Sequence, residues 1–366
     1  MKDEKLQQAV QAQKEALLEN LFSLLRINSE RSTAEPGAPY GPGPKRALET
    51  ALAIAGKLGF ETEMVADQVG IAKYIPAGWA GDGEEDYIAI VGHLDVVPAE
   101  GNWSHPPYEP QIRQRRIYAR GVLDNKGPLL AALFALHAVK QAEIQLTRPV
   151  WILFGTNEET GMEDMAAYLK VKRPPKAGFT PDCKFPVVYA ERGRAAFRLR
   201  FEDELAASRF KDHYATLEDL RLSRTNPVYG SLQLQIRQEN ASLEYVFRYP
   251  FGMKSTEIER QLKERLPDET ILEQLSDWPP VRHDPHGHLC RILAEVYEDV
   301  TGQDGSPVTT SGGTYALRLP GIVPFGPSFP GQRDIAHRPD EWMDIEDLMR
   351  CLEIFALAIV RLAGAE

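Results

Sequence analysis

Residues 127–139 are apolar almost all round, so a helix there has no face to offer water and must be enclosed. Residues 87–91 and 150–155 are apolar runs of strand length, the second unbroken, as suits a sheet covered on both faces. A buried helix between two buried strands restricts this part of the chain to a layered α/β architecture. Other segments extend the alternation. Leu6, Val10, Leu17, Leu18, Leu21, Phe22 and Leu25 recur at helical spacing and predict one helix over 4–26. A loop rich in Ser, Gly and Pro covers 29–44. The helix expected over 44–58 has Pro44 in its first turn and Gly59 just past its end. Strands are expected near 61–65, 71–75, 117–118 and 185–189, with another helix through 165–169.

The pattern changes at Arg194. A strand over 195–201 is followed by a helix over 205–214, then strands over 231–237 and 243–249 with Asn240 as the turn residue between them. A helix over 255–266 and a strand over 270–275 complete a β-α-β-β-α-β order, the ferredoxin-like plan. Beyond Trp278-Pro279-Pro280 the earlier style returns, with helices over 289–301 and 345–362. The simplest arrangement is one discontinuous domain, 1–193 with 278–366, carrying an inserted domain over 194–277.

A net charge of -11 argues against a nucleic-acid surface or a basic membrane-binding face. Cys183, Cys290 and Cys351 are odd in number, far apart and without a C-x-x-C, which indicates neither a disulfide framework nor a thiolate zinc site. The opening Met1-Lys2-Asp3-Glu4-Lys5 leads into an amphipathic segment, so no signal peptide is expected. No apolar stretch approaches bilayer-spanning length. A reducing cytoplasm is the expected compartment.

The chemistry-bearing residues gather where strands end. The run 87–91 delivers His93 and Asp95, and a spacing of two in extended chain puts both side chains on one side. An imidazole with a carboxylate able to hold its other ring nitrogen is what a metal site requires. Asp124 precedes the buried helix, either as an N-cap or as a ligand. Glu158 and Glu159 follow the run 150–155, either as a solvated turn or at the strand end where open α/β sheets place ligands. Asp182 fits a turn and His337 a surface position when each is taken alone. Together these residues form the mixed nitrogen and oxygen set that zinc, manganese or cobalt accept. Ser311, Gly312, Gly313 and Thr314 precede an apolar stretch, where they form either a tight turn or a backbone cradle for a substrate carboxylate.

These segments resemble the M20 family of metallopeptidases, in its PepV-type dipeptidase branch. The resemblance is carried by Gly92-His93-Leu94-Asp95-Val96-Val97-Pro98, by Trp103 with Pro106-Pro107-Tyr108-Glu109-Pro110, and by Arg120-Gly121 continuing to Lys126-Gly127-Pro128. Further matches are Gly155-Thr156-Asn157-Glu158-Glu159-Thr160-Gly161, Gly178-Phe179-Thr180-Pro181-Asp182, Gly312-Gly313-Thr314-Tyr315-Ala316 and Ala336-His337. They cover most of residues 15–193 and 278–362 in the family's order.

The resemblance implies an α/β fold, a mixed-sheet three-layer catalytic domain of the zinc-peptidase type with an inserted ferredoxin-like lid. It also implies two divalent metal ions, zinc first, with manganese or cobalt as alternatives. His93 and Asp182 would bind one ion, Glu159 and His337 the other, and Asp124 would bridge them. Asp95 would orient His93, Glu158 would be the general base acting on a metal-bridging water, and the Asp124–Asn125 peptide would be cis. The implied activity is cleavage of dipeptides or other small peptides with a free N-terminus. The alternatives are N-acyl amino-acid deacylation by the same chemistry, or a weakly active or inactive metal- or peptide-binding protein.

PepV-type enzymes carry a larger lid, whose Gly-x-His-small motif helps hold the tetrahedral intermediate. Nothing over 195–275 matches that motif, and the insert's one histidine, His213, falls in a predicted helix as an exposed residue. Losing one such donor typically costs about 10²–10³ in rate. His283, His286 and His288 lie where the chain returns to the catalytic domain, either as a hydrated connector or as a substitute. The lid's edge strand and helical face suit pairing with a second copy, so a homodimer is expected.

Overall fold

The computed structural model describes residues 4–81, 83–222, 225–226 and 230–364; Met1, Lys2 and Asp3, part of the expectation of no signal peptide, lie outside them. The chain forms two compact units. One comprises Met1–Val188, Pro285–Pro307 and Thr314–Glu366, the other Tyr189–Asp284 and Val308–Gly313. The second unit is therefore wider than residues 194–277 and takes in a separate short segment. Strand Val188–Glu191 accounts for this, because it pairs with Val281–Arg282 on one side and Val308–Thr309 on the other.

In the first unit a six-stranded mixed sheet runs in the order Glu61–Val65, Val69–Tyr74, Val150–Gly155, Ile88–His93, Ala177–Thr180, Ile322–Pro324. The last four strands are mutually parallel, and Val69–Tyr74 runs antiparallel to both its neighbours, Glu61–Val65 and Val150–Gly155. Strands Ile88–His93 and Val150–Gly155 are buried at every position, as their apolar runs require. Helix Lys126–Gln141 packs against the closing helix Ile345–Ala363 and against both strands. Leu129, Leu130, Leu133, Phe134 and Leu136 are buried there, and each such side chain contributes about 1.5–3 kcal/mol. Phe185 stands edge-on to Phe325, ring centroids 5.0 Å apart, and Tyr87 stacks on Trp151 at 4.1 Å. These rings fix the sheet against its covering layers.

The N-terminal helix expected as one piece is two, Glu4–Ala12 and Lys14–Leu25. The break falls at Gln13, a buried polar side chain whose amide donates to the Ala9 carbonyl at 3.0 Å while its Oε1 lies 2.9 Å from His137 Nδ1. Instead of the strand expected near 185–189, Cys183–Lys184 pairs with Pro327–Ser328 and the next strand begins at Val188. The Phe185–Pro186 and Gly326–Pro327 peptides are cis.

The second unit holds a four-stranded antiparallel sheet in the order Gln233–Glu239, Ser242–Tyr249, Gly193–Arg200, Ile271–Trp278. Helices Glu204–His213 and Ser255–Lys263 complete the ferredoxin-like plan expected from the sequence. Phe197, Leu199, Tyr245, Phe247, Ile258 and Leu262 form its core. Asn240 takes the left-handed conformation, φ 51°, at the hairpin turn.

Candidate metal centre

Three parallel strands of the first unit end along one edge of its sheet. His93 closes Ile88–His93 directly opposite Gly155, Glu158 and Glu159 follow Val150–Gly155, and Asp182 follows Ala177–Thr180. Asp124 precedes helix Lys126–Gln141, whose cap position is taken by Asn125 and not by Asp124. The Asp124–Asn125 peptide is cis. His337 arrives on the loop before strand Trp342–Asp344 with φ 63°, a backbone conformation rare outside glycine.

Asp124 is the centre of the cluster. Its Oδ1 lies 3.0 Å from His93 Nε2 and its Oδ2 lies 2.9 Å from His337 Nε2. His93 Nε2 is also 3.6 Å from Asp182 Oδ1, and His337 Nε2 is 3.1 Å from Glu159 Oε1. Two groups of potential ligand atoms, His93–Asp124–Glu159 and His93–Glu158–Asp182, each lie within 4.8 Å of one another. The donor set fits divalent cations, since imidazole nitrogen and carboxylate oxygen converge with one carboxylate facing both imidazoles. Asp95 acts on more than the imidazole. His93 Nδ1 is nearer the Asp95 carbonyl, at 2.9 Å, than its carboxylate, at 3.5 Å. That carboxylate accepts the backbone N–H groups of Glu158 and Glu159 at 3.1 and 3.2 Å.

Burial and crowding raise the proton affinity of most of these side chains. Burial, with Asp182 close by, pushes the Glu158 carboxyl well above its usual range. Burial and the nearby Asp124 push Glu159 up to about 7, and burial pushes Asp182 up to about 6. Burial lowers the His93 imidazolium, but Asp182, Asp124 and Asp95 outweigh it and hold His93 well above the ordinary histidine value. The hydrogen bonds to Asp124 and Glu159 raise His337 to about 11. Asp124 alone is held low, because its two imidazole partners outweigh its burial. Protons kept among crowded carboxylates are what arriving cations displace.

Several supporting residues escaped sequence reasoning. The Glu341 carboxylate, buried with Arg120, accepts the backbone N–H groups of Gly121, Leu123 and Asp124 at 3.0, 2.8 and 3.1 Å. Asn125 donates from Nδ2 to the Pro181 carbonyl at 2.6 Å, tying the Asp124 turn to the Asp182 segment. Lys126 reaches away from the cluster, to the carbonyls of Leu24 and Ile27 at 3.2 and 2.8 Å. Only Gly92 admits this arrangement, since a Cβ there would sit 2.2 Å from Asn125 Oδ1.

Ser311, Gly312 and Gly313 fall in the second unit and Thr314 in the first. Thr314 Oγ1 accepts the Ala316 N–H at 3.2 Å and caps a short 3-10 turn, Tyr315–Leu317, and Gly312 donates to Thr310 Oγ1 at 3.3 Å. His213 is exposed at its helix end, His286 and His288 are exposed, and the backbone N–H of His283 donates to the Tyr189 carbonyl at 2.8 Å.

Two imidazoles and four carboxylates thus converge at the carboxyl edge of a mixed sheet, a donor set that divalent cations accept. The chain belongs to Peptidase family M20/M25/M40, whose family model matches residues 89–361. It is thereby a hydrolase of the peptidase kind that uses divalent metal. It is 28% identical over 461 residues to a putative dipeptidase, YtjP, of Bacillus subtilis (strain 168), covering 96% of this chain and 98% of that one. It is 32% identical over 244 residues to a putative dipeptidase of Staphylococcus aureus (strain bovine RF122 / ET3-1), a match covering 66% of this chain but only 50% of that one. Among solved structures, human carnosine dipeptidase 1 aligns with a TM-score of 0.72 at 15% identity, over 98% of each chain. An M20 family metallo-carboxypeptidase from Sulfolobus solfataricus aligns at 0.69 and 16% identity, over 94% of this chain and 98% of that one. These two establish likeness of fold. Among the described residues no helix is long and apolar enough to cross a membrane.

Proposed function

We propose that the chain is a two-metal dipeptidase, cleaving dipeptides or other small peptides with a free N-terminus. The observation that carries the reading is Asp124, whose two oxygens face different imidazoles at 3.0 and 2.9 Å while Glu158 lies buried beside them. His93 and Asp182 would hold one ion and Glu159 and His337 the other, with the Asp124 carboxylate placed between the two imidazoles. When bound, such a pair polarises the scissile carbonyl and acidifies the attacking water. The Glu158 carboxylate takes the proton from that water and returns it to the leaving amine nitrogen, so hydrolysis ends as acid and amine with no further co-reactant. Asp95, through the N–H groups it accepts, sets where Glu158 and Glu159 point.

Zinc suits this ligand set first, with manganese or cobalt as alternatives. The relatives' names support the dipeptide substrate, and the free Cys183, Cys290 and Cys351 suit a cytoplasmic enzyme. Edge strand Gln233–Glu239 suits pairing of two second units, which light scattering would detect as a homodimer. The test of function is product analysis of the metal-loaded protein on a dipeptide panel beside N-acetyl and N-succinyl amino acids. Free amino acids from the dipeptides support the reading. Turnover confined to the acylated compounds makes the protein a deacylase, and no turnover of either overturns the enzyme reading.

A further inference from the structure

The segment Thr156–Glu159 carries the general base, and all four of its backbone N–H groups end on two carboxylates. Asp95 accepts those of Glu158 and Glu159. Asp164 accepts those of Thr156 and Asn157 on a single oxygen, Oδ2, at 2.8 and 3.1 Å. The Tyr315 hydroxyl donates to that same Oδ2, and Oδ1 accepts the Met165 N–H at 2.8 Å. Asp164 and Tyr315 are fully buried. A buried carboxylate is costly unless its lone pairs are filled, and here four donors fill them.

Asp164 makes no hydrogen bond to any of the six side chains assigned to metal or base; its partners are Thr156, Asn157, Met165 and Tyr315. Its effect reaches those six through the backbone. Tyr315 joins this arrangement to the opposite strand, because its ring stands edge-on to the His93 imidazole with centroids 6.5 Å apart. The phenol passes over Gly155, where a Cβ would lie 2.0 Å from its oxygen. Asn157 closes the far side, donating from Nδ2 to Thr160 Oγ1 at 2.6 Å and accepting the Glu163 N–H at 3.0 Å.

We infer that Asp164, held by Tyr315, is a positioning residue that fixes the Thr156–Glu159 backbone and so the aim of the Glu158 carboxylate. The inference rests on Glu158 being the general base. A base misplaced by a fraction of an ångström loses rate while ground-state binding is largely kept.

The test uses Asp164→Asn and Tyr315→Phe, which keep side-chain volume, in the metal-loaded full chain. Amide hydrogen exchange at 156–159 should rise in both variants, while exchange in the 126–141 helix stays as in the parent protein. With metal saturating, kcat should fall about ten- to a hundredfold with KM within about twofold. Adding Asp164→Asn to a Glu158→Gln protein should cost less than about a further twofold, because the group being aimed is already gone. Unchanged exchange at 156–159 overturns the inference, as does an equal loss of kcat with and without Glu158. If the parent protein turns over neither dipeptides nor N-acyl amino acids, the reading of function falls, and exchange at 156–159 still decides whether Asp164 holds that segment.

Discussion

Glu341 and Arg120 form an ion pair at 2.8 Å with both side chains buried, and the same carboxylate holds the turn that presents Asp124. Glu341→Ala would leave the buried Arg120 guanidinium without its carboxylate and three backbone N–H groups without their acceptor. Breaking a buried pair from one side typically costs about 3–5 kcal/mol. We expect a loss of that order in urea denaturation of the metal-loaded protein, together with weaker metal affinity, because the Asp124 turn loses its anchor. A stability and metal affinity equal to those of the parent protein would show that the pair does not hold the turn.

Glu158→Gln tests the chemistry directly. The amide keeps the shape but accepts no proton from water, and general-base catalysis typically contributes about 10²–10⁴ in rate. We expect kcat to fall by that factor while metal content and KM stay near those of the parent protein. Retention of more than about a tenth of the activity would assign the base elsewhere.

The candidate ligands were legible because each stands just past an apolar run or inside a short motif. His93, Glu158, Glu159 and Asp182 inherit their common edge from parallel strands whose burial is written in their composition. Glu341 and Asp164 were not legible. Arg338-Pro339-Asp340-Glu341 and Glu163-Asp164 have the composition of surface loops, and only tertiary packing shows that one carboxylate in each is buried. Asp95 was recognised beside His93, but its hydrogen bonds to Glu158 and Glu159 join segments some sixty residues apart. The extent of the second compact unit depends on two-residue pairings, Val281–Arg282 and Val308–Thr309, too short to leave a periodic signal.

Metal binding should depend on pH with a definite sign. The raised His337, at about 11, and the raised His93 keep protons that a cation must displace. Apparent metal affinity therefore rises with pH, and calorimetry in buffers of different ionisation enthalpy should detect proton release. In chelated protein the stabilisation from His337 is complete below the unfolded value near 6.5 and is lost as pH rises towards about 11. Glu159 and Asp182, raised to about 7 and about 6, act in the same direction at lower pH, stabilising the protonated fold and losing that contribution as they ionise. The gap in Tm between loaded and chelated protein should thus widen from pH 6 to pH 9. A constant or narrowing gap would contradict the coupling.

Gly92→Ala examines the close approach that joins the two halves of the site. The new methyl would meet Asn125 Oδ1 at 2.2 Å and Leu129 Cδ1 at 3.1 Å, so the amide must move. Asn125 then loses its bond to the Pro181 carbonyl, and with it the link between the Asp124 turn and Asp182. Overpacking of this kind typically costs about 1–3 kcal/mol. If the amide sets the separation of the ligands, metal affinity should drop along with stability, and Asn125→Ala, which relieves the clash, should leave affinity low while recovering part of the stability in the double variant. Recovery of both properties in Gly92→Ala/Asn125→Ala would show that the methyl acts by crowding alone and that the Asn125–Pro181 bond does not hold the ligands in place.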